Sequence, residues 1–219
     1  MNQQIENFVN KLKDEERTEG VLLFGSWARG NNRSNSDVDL LVIVSDGYSR
    51  EIEEYEGKLF EIVYSTKESA IDYWKSDMNG CANLWEVGQI LYSKGNQMEN
   101  LKTKAKTLLM EGKQSLKNKE IERLLFNAED QLKSACTIAK KNVSHSNFLI
   151  HNHVFELTSI FFDLHKEWTP APKQRLEKIK EMNLDLYSKL TQFYKEEIKL
   201  NDKFILVDEI IDLIFNYQF

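Results

Sequence analysis

Three carboxylates and one glycine–serine pair are the residues through which this 219-residue sequence could do chemistry. Gly25-Ser26 follows the apolar run Val21-Leu22-Leu23-Phe24 and precedes a helix start, so backbone N–H groups and a hydroxyl are presented where a phosphate can dock. A Walker A loop does not fit, because Asn31 and Asn32 follow Gly30 in place of the lysine and hydroxyl residue. Asp37 and Asp39 open the run Val38–Val44. On a strand, residues i and i+2 share a face with Cα atoms about 6.6 Å apart, so both carboxylates converge on the same one or two metal ions. On a helix they diverge. Asp37, Asp39, Leu41 and Ile43 then share one face, and Val38, Leu40, Val42 and Val44 the other. Two adjacent anions on an apolar ribbon repel each other, which a divalent cation with oxygen ligands relieves. Glu61 is the only charge between Leu59 and Tyr64, and a lone carboxylate inside a strand needs a partner or a function. Beside the first two it completes an acidic cluster facing the phosphate-binding turn, suited to a nucleoside triphosphate with magnesium. Paired with a lysine or arginine, it is structural. Both readings of Glu61 stay open at this stage.

The elements that must position these groups follow from patterning. Ile5, Phe8, Val9 and Leu12 have helical spacing, and Val21–Phe24 between two glycines reads as a strand. The run Val38–Val44 ends at the turn signal Asp46-Gly47, Leu59–Tyr64 follows Gly57, and Gln89–Tyr92 precedes Gly95, giving three further strands. A short helix is expected from Lys67 to Trp74. After Gly95 the period becomes helical: Ile121 to Ala139 holds it over five turns, and Phe148–Leu164 is apolar on nearly every side, as in the innermost helix of a bundle. Met182–Ile198 and Phe204–Phe215 supply further amphipathic faces. Trp168-Thr169-Pro170-Ala171-Pro172-Lys173 reads as a connector ahead of a reading in which Lys173 and Arg175 reach a phosphate. His151 and His153, two apart on a helix, point to different sides and are read as structural or substrate-lining, and Glu156 as an internal hydrogen-bond partner.

Composition narrows the field. With 41% hydrophobic and 29% charged residues the chain is globular, and two cysteines are too few for a disulfide framework, so reduced thiols and a cytoplasmic location are expected. No run is apolar enough to span a membrane, and the N-terminus has no secretory pattern. The net charge of −6 argues against a nucleic-acid partner, for which a basic stripe is needed. Residues 1–97 carry 10 basic against 17 acidic side chains, while the remainder is near balance. All nine glycines lie at or before Gly112, which separates a mixed α/β front half from a helical back half.

The order of hydrophobic strand, Gly25-Ser26, helix, Asp37-Val38-Asp39 and later strand carboxylate resembles the DNA polymerase beta superfamily of nucleotidyltransferases over roughly residues 5–95. The string Phe24-Gly25-Ser26-Trp27-Ala28-Arg29-Gly30 with Ser36-Asp37-Val38-Asp39 is most similar to its small bacterial members, the antibiotic nucleotidyltransferases and the minimal MNT-type proteins, and Gly88–Tyr92 is similar to their closing strand. Beyond residue 97 the similarity, to the kanamycin and lincosamide enzymes, is one of architecture. The resemblance implies an α+β fold: a mixed-sheet nucleotidyltransferase domain over residues 1–97, then an all-α helical bundle over 98–219 for acceptor binding or homodimerisation. It implies that Asp37 and Asp39 hold two magnesium ions, that Glu61 completes the metal site or acts as general base, and that Gly25, Ser26 and Ser36 contact the triphosphate. Arg29 would contact phosphate or brace the turn. The implied enzyme moves a nucleoside monophosphate from a triphosphate such as ATP to a hydroxyl of a small molecule, of aminoglycoside or lincosamide antibiotic type, releasing pyrophosphate. The alternatives are AMP transfer to a partner protein, as in MNT-type antitoxins, and a nucleotide-binding homologue without turnover.

Overall fold

A computed structural model describes residues 2–216. It divides into two units, Met1–Glu111 and Gly112–Phe219.

The first unit is built on α1 (Gln3–Lys13), β1 (Thr18–Phe24), α2 (Gly25–Arg29), β2 (Val38–Val44), β3 (Ser49–Tyr55), β4 (Lys58–Ser65), α3 (Lys67–Ser76), α4 (Met78–Trp85), β5 (Gln89–Ser93) and α5 (Gln97–Met110). The sheet order is β3-β4-β2-β1-β5, with β2 and β4 parallel and the other pairs antiparallel. Alternation along β2 sends its residues to two cores. Val38, Leu40, Val42 and Val44 pack with Ile5, Phe8, Val9 and Leu12 of α1 and with Phe60, Ile62 and Tyr64 of β4. Leu41 and Ile43 pack with Trp74 of α3, Cys81 and Trp85 of α4, and Met98, Leu101 and Ala105 of α5. Phe8 stacks on Phe60 at 4.0 Å between centroids, and Trp74 meets Trp85 edge to face at 5.4 Å. α1 begins where the Asn2 side chain accepts a hydrogen bond from the Gln4 N–H, the usual work of an N-cap.

Several elements depart from the sequence expectation. β1 starts at Thr18 and runs through Gly20, which pairs with β2 and β5 and whose missing side chain leaves room for Met98. β3 was not expected: its pattern Ser-Arg-Glu-Ile-Glu-Glu-Tyr is charged because it is an edge strand, where charge discourages further pairing. Glu56 and Gly57, both at positive φ, join it to β4 in a two-residue hairpin turn. α4 was also unexpected. Asp77 caps it by accepting from the Gly80 N–H at 2.8 Å, and the Tyr73 hydroxyl donates to the other Asp77 oxygen at 2.7 Å.

The second unit contains α6 (Asn118–Ala139), α7 (Val143–Leu164), α8 (Pro172–Met182), α9 (Leu184–Phe193) and α10 (Leu200–Phe215). α7 carries apolar residues on its exposed as well as its buried side and is not enclosed all round: Ile150, Val154, Leu157, Phe161 and Phe162 are buried, whereas Phe148 is 64% and Phe155 45% exposed. The buried Ser146 hydroxyl donates to the Ala135 carbonyl at 2.7 Å, tying α7 to α6. The amphipathic face expected over 182–198 is supplied by α9, with Met182 closing α8. Asn183 separates α8 from α9, its side chain accepting from the Leu186 N–H at 2.9 Å to start α9. No helix among the described residues is long and apolar enough to cross a membrane.

Phe60→Ala removes a fully buried ring from the core beneath α1, and the expected cost is about 3–5 kcal/mol, read as faster hydrogen exchange of β2 and β4 amides. Burial, aided by the charge of Asp77, pushes the Cys81 thiol up to about 12. At pH 8 it stays protonated and covered, so iodoacetamide should leave Cys81 unlabelled in the native chain and label it after denaturation, as read by peptide mass.

Candidate active site

The parallel register of β2 and β4 sets Asp39 opposite Glu61 and Val38 opposite Phe60. Opposed residues share a face, so burying Val38 and Phe60 beneath α1 turns both carboxylates to the other side of the sheet. Asp37 stands one residue before β2 and is exposed, whereas Asp39 and Glu61 are half-buried. Each of the three offers a carboxylate oxygen, and these oxygens all lie within 4.8 Å of one another. The structure thus brings together the triad expected from the sequence. Glu61 also forms an ion pair with Arg50 of β3, the basic partner that one reading of this residue expected, while its carboxylate stays within the cluster.

The glycine–serine turn reaches the same place through β1. Phe24 is the β-partner of Asp39, so the next residue, Gly25, arrives beside that carboxylate. Gly25 has φ +68, and a Cβ on it would overlap the Asp39 carboxylate. Ser26 follows with its hydroxyl buried and without a hydrogen-bond partner among the described residues. α2 closes at Gly30, whose N–H donates to the Trp27 carbonyl at 3.2 Å. Arg29 lies in its last turn. Ser36 belongs to the turn that delivers Asp37: its hydroxyl accepts from the Arg33 N–H at 2.9 Å, and its N–H donates to the Arg33 carbonyl at 3.0 Å.

Three further residues hold this arrangement and were not singled out from the sequence. Trp27 donates its indole N–H to the Ser36 carbonyl at 3.3 Å, joining α2 to the Asp37 turn, and Lys58 lies over its ring at 4.5 Å. Gln89 donates to the Ala28 carbonyl at 2.7 Å, fastening α2 to β5. Arg50 engages Glu61. The signal for Trp27 was its place inside the turn motif; Arg50 had none, because its strand was not legible.

The helical unit holds the other residues noted in the sequence. His151 accepts at Nε2 from the Lys203 ammonium at 2.8 Å and lies against Phe193 and Tyr194, and burial with the Lys203 charge holds its pKa below the ordinary value. His153 is buried on another side of α7, and burial lowers its pKa against the opposing influence of Glu156. Glu156 is exposed. Arg175 spends its guanidinium inside the unit, on the Pro170 carbonyl at 3.1 Å and the Thr158 and Ser159 hydroxyls at 3.2 and 3.0 Å, which suits a connector.

Comparison with known proteins adds two likenesses. Residues 5–97 match the family described as polymerase beta, nucleotidyltransferase. Among solved structures, the chain is similar to a nucleotidyltransferase-like protein from Exiguobacterium sibiricum, at 12% identity and a TM-score of 0.52, over 98% of this chain and 74% of that one. At this identity the second likeness is one of fold. No curated protein matches the chain.

Gly25→Ala must both adopt a left-handed backbone, at about 1–2 kcal/mol, and displace the Asp39 carboxylate. The expected outcome is a folded chain by far-UV circular dichroism whose Mn2+ affinity is lost or sharply reduced in calorimetric titration.

Proposed function

Residues 5–97 form a nucleotidyltransferase domain of the polymerase beta family, and from that premise we propose a magnesium-dependent transfer of a nucleoside monophosphate to the hydroxyl of a small-molecule acceptor. The observation that carries the reading is the approach of the Asp37, Asp39 and Glu61 carboxylates within 4.8 Å, directly beside Gly25. Hard oxygen donors in this number suit magnesium, and a serine hydroxyl buried without a partner suits a phosphate oxygen, so the residues fit both groups. A bound divalent cation supplies charge stabilisation for the attacking and departing oxygens of an in-line displacement.

The chain's own residues do the rest. Asp37, Asp39 and Glu61 hold the cation. The Ser26 hydroxyl and the backbone at Gly25 orient the triphosphate, with Ser36 and Arg29 as further phosphate contacts. The acceptor oxygen forms a bond to the α-phosphorus while the bond to the β-phosphate oxygen breaks and pyrophosphate departs. The acceptor proton leaves to Glu61 or, where Glu61 stays with the cation and Arg50, to water. The proposal takes aminoglycoside- or lincosamide-type antibiotics as acceptors and residues 98–219 as the part that selects the acceptor or self-associates; exposed Phe126, Phe148 and Phe155 on its helices support an interacting surface. Free Cys81 and Cys136 support a cytoplasmic setting.

A second reading, transfer to a side-chain hydroxyl of a partner protein, is favoured by one observation. Ile52 is the β-partner of Glu61, and Leu59 lies two residues before it, so both share its face while being 75% and 51% exposed. An apolar surface beside the carboxylates suits a polypeptide acceptor better than a sugar.

Incubation with α-labelled ATP, GTP, CTP and UTP, magnesium and a panel of antibiotics and candidate partner proteins tests both readings. Label is expected on a member of the panel, to be lost with EDTA and restored by magnesium. Asp39→Asn removes charge stabilisation worth several kcal/mol, so transfer should fall at least about a hundredfold. Transfer that survives this change refutes the proposed mechanism.

A further inference from the structure

Arg50 lies on the edge strand β3 opposite Val63, while Glu61 lies opposite Ile52. Arg50 and Glu61 are therefore diagonal neighbours on the face that carries Asp39, within reach of a long side chain. Their ion pair leaves the Arg50 side chain 65% exposed and that of Glu61 23% exposed. A pair so open to water adds little to stability, so it is not explained as a staple of the sheet. What it alters is the charge of the cluster. Three carboxylates with oxygens within 4.8 Å of one another present three negative charges, and Arg50 offsets one of them at Glu61, directly across the register from Asp39.

We infer that Arg50 is a resident counter-charge and positioning residue, which makes cation binding at Asp37, Asp39 and Glu61 depend on the arrival of a polyphosphate. The inference rests on the metal-site reading above. A bare divalent cation entering the cluster meets a guanidinium already paired with one of its ligands, and the two positive charges repel. A cation carried on a polyphosphate brings net negative charge with it. The guanidinium then exchanges one planar oxyanion partner, the carboxylate, for another, the phosphate, which its fork of donors matches equally well. The site consequently fills as a cation–polyphosphate unit and resists idle occupation by free cation.

The test uses the full chain and two probes that do not depend on the base of the nucleotide. Mn2+ binding alone is read from the paramagnetic resonance signal of the free ion. Retention of labelled pyrophosphate at saturating Mn2+ is read by equilibrium dialysis. Arg50→Gln should tighten Mn2+ alone by about threefold to tenfold, the effect of one unit charge on a divalent ion at short range in a solvated site. It should weaken pyrophosphate retention by a similar factor, while Arg50→Lys, which keeps the charge, stays near the wild type for Mn2+ alone. Unchanged or weaker Mn2+ binding by a folded Arg50→Gln chain, or unchanged pyrophosphate retention, overturns the inference and leaves the cluster as a cation site. Mn2+ binding that Asp39→Asn leaves intact overturns the metal-site reading itself, and this inference with it.

Discussion

The first unit depends on one backbone pairing, the parallel register that sets Val38 beside Phe60 and Asp39 beside Glu61. Side chains alternate along a strand, so the hydrophobic and chemical consequences of that register cannot be separated. A slip of β4 by one residue would bring Glu61 into the core where Phe60 stacks on Phe8, and burial of unpaired charge there is far costlier than the loss of one apolar contact. The packing of α1 against the sheet therefore fixes which face carries charge. The geometry of the carboxylate cluster is inherited from core geometry.

The same dependence extends through β1. Its antiparallel pairing with β2 ends at Phe24 opposite Asp39, so chain continuity alone places Gly25 against the carboxylate. No side chain fits there, and the backbone is left-handed. Three bonds then keep the turn from drifting: Gln89 to the Ala28 carbonyl, Trp27 to the Ser36 carbonyl, and Gly30 to the Trp27 carbonyl. Each couples α2 to a different point, β5, the Asp37 turn and its own C-terminus. A buried serine hydroxyl without a partner among the described residues is thus held in a braced turn, an arrangement that favours an incoming acceptor of its hydrogen bond.

Much of this was legible because apolar runs bury both faces of central strands. Val38–Val44 carries enough β-branched and leucine residues that its limits in the structure coincide with those of the run. The i, i+2 spacing of Asp37 and Asp39 gave their common direction, and Glu61 stood out as a charge within an apolar strand. What escaped was written in weaker signals. β3 has only one paired side, so five of its residues are polar and alternation fails to show. Gly20 reads as a boundary unless one knows that Met98 packs over it, a contact between β1 and α5 that no local pattern encodes. Asn183 acts by capping α9, and its short polar side chain looks like any other exposed position within an amphipathic period. In each case the missing information was tertiary.

The strand hardest to see is also the one the register requires. Parallel neighbours cannot be joined by a tight turn, because the chain must first travel back along the length of the strand. Each of β2 and β3 spans seven residues, about 20 Å, and residues 45–57 must cover that distance before β4 begins. An extended return is the economical solution, and the hairpin at Glu56-Gly57 then inserts β4 between β3 and β2. The path that makes Asp39 and Glu61 neighbours thereby lays a second strand beside Glu61, with Arg50 one diagonal step away. A cationic side chain at that position meets the cluster without any further element having to move. Any long basic residue at position 50 would alter the charge of the site, whereas one at 51 or 53 would point to the face of α1, where Glu53 instead pairs with Lys11. The distinction between supporting strand and chemical participant is decided by the parity of a single residue.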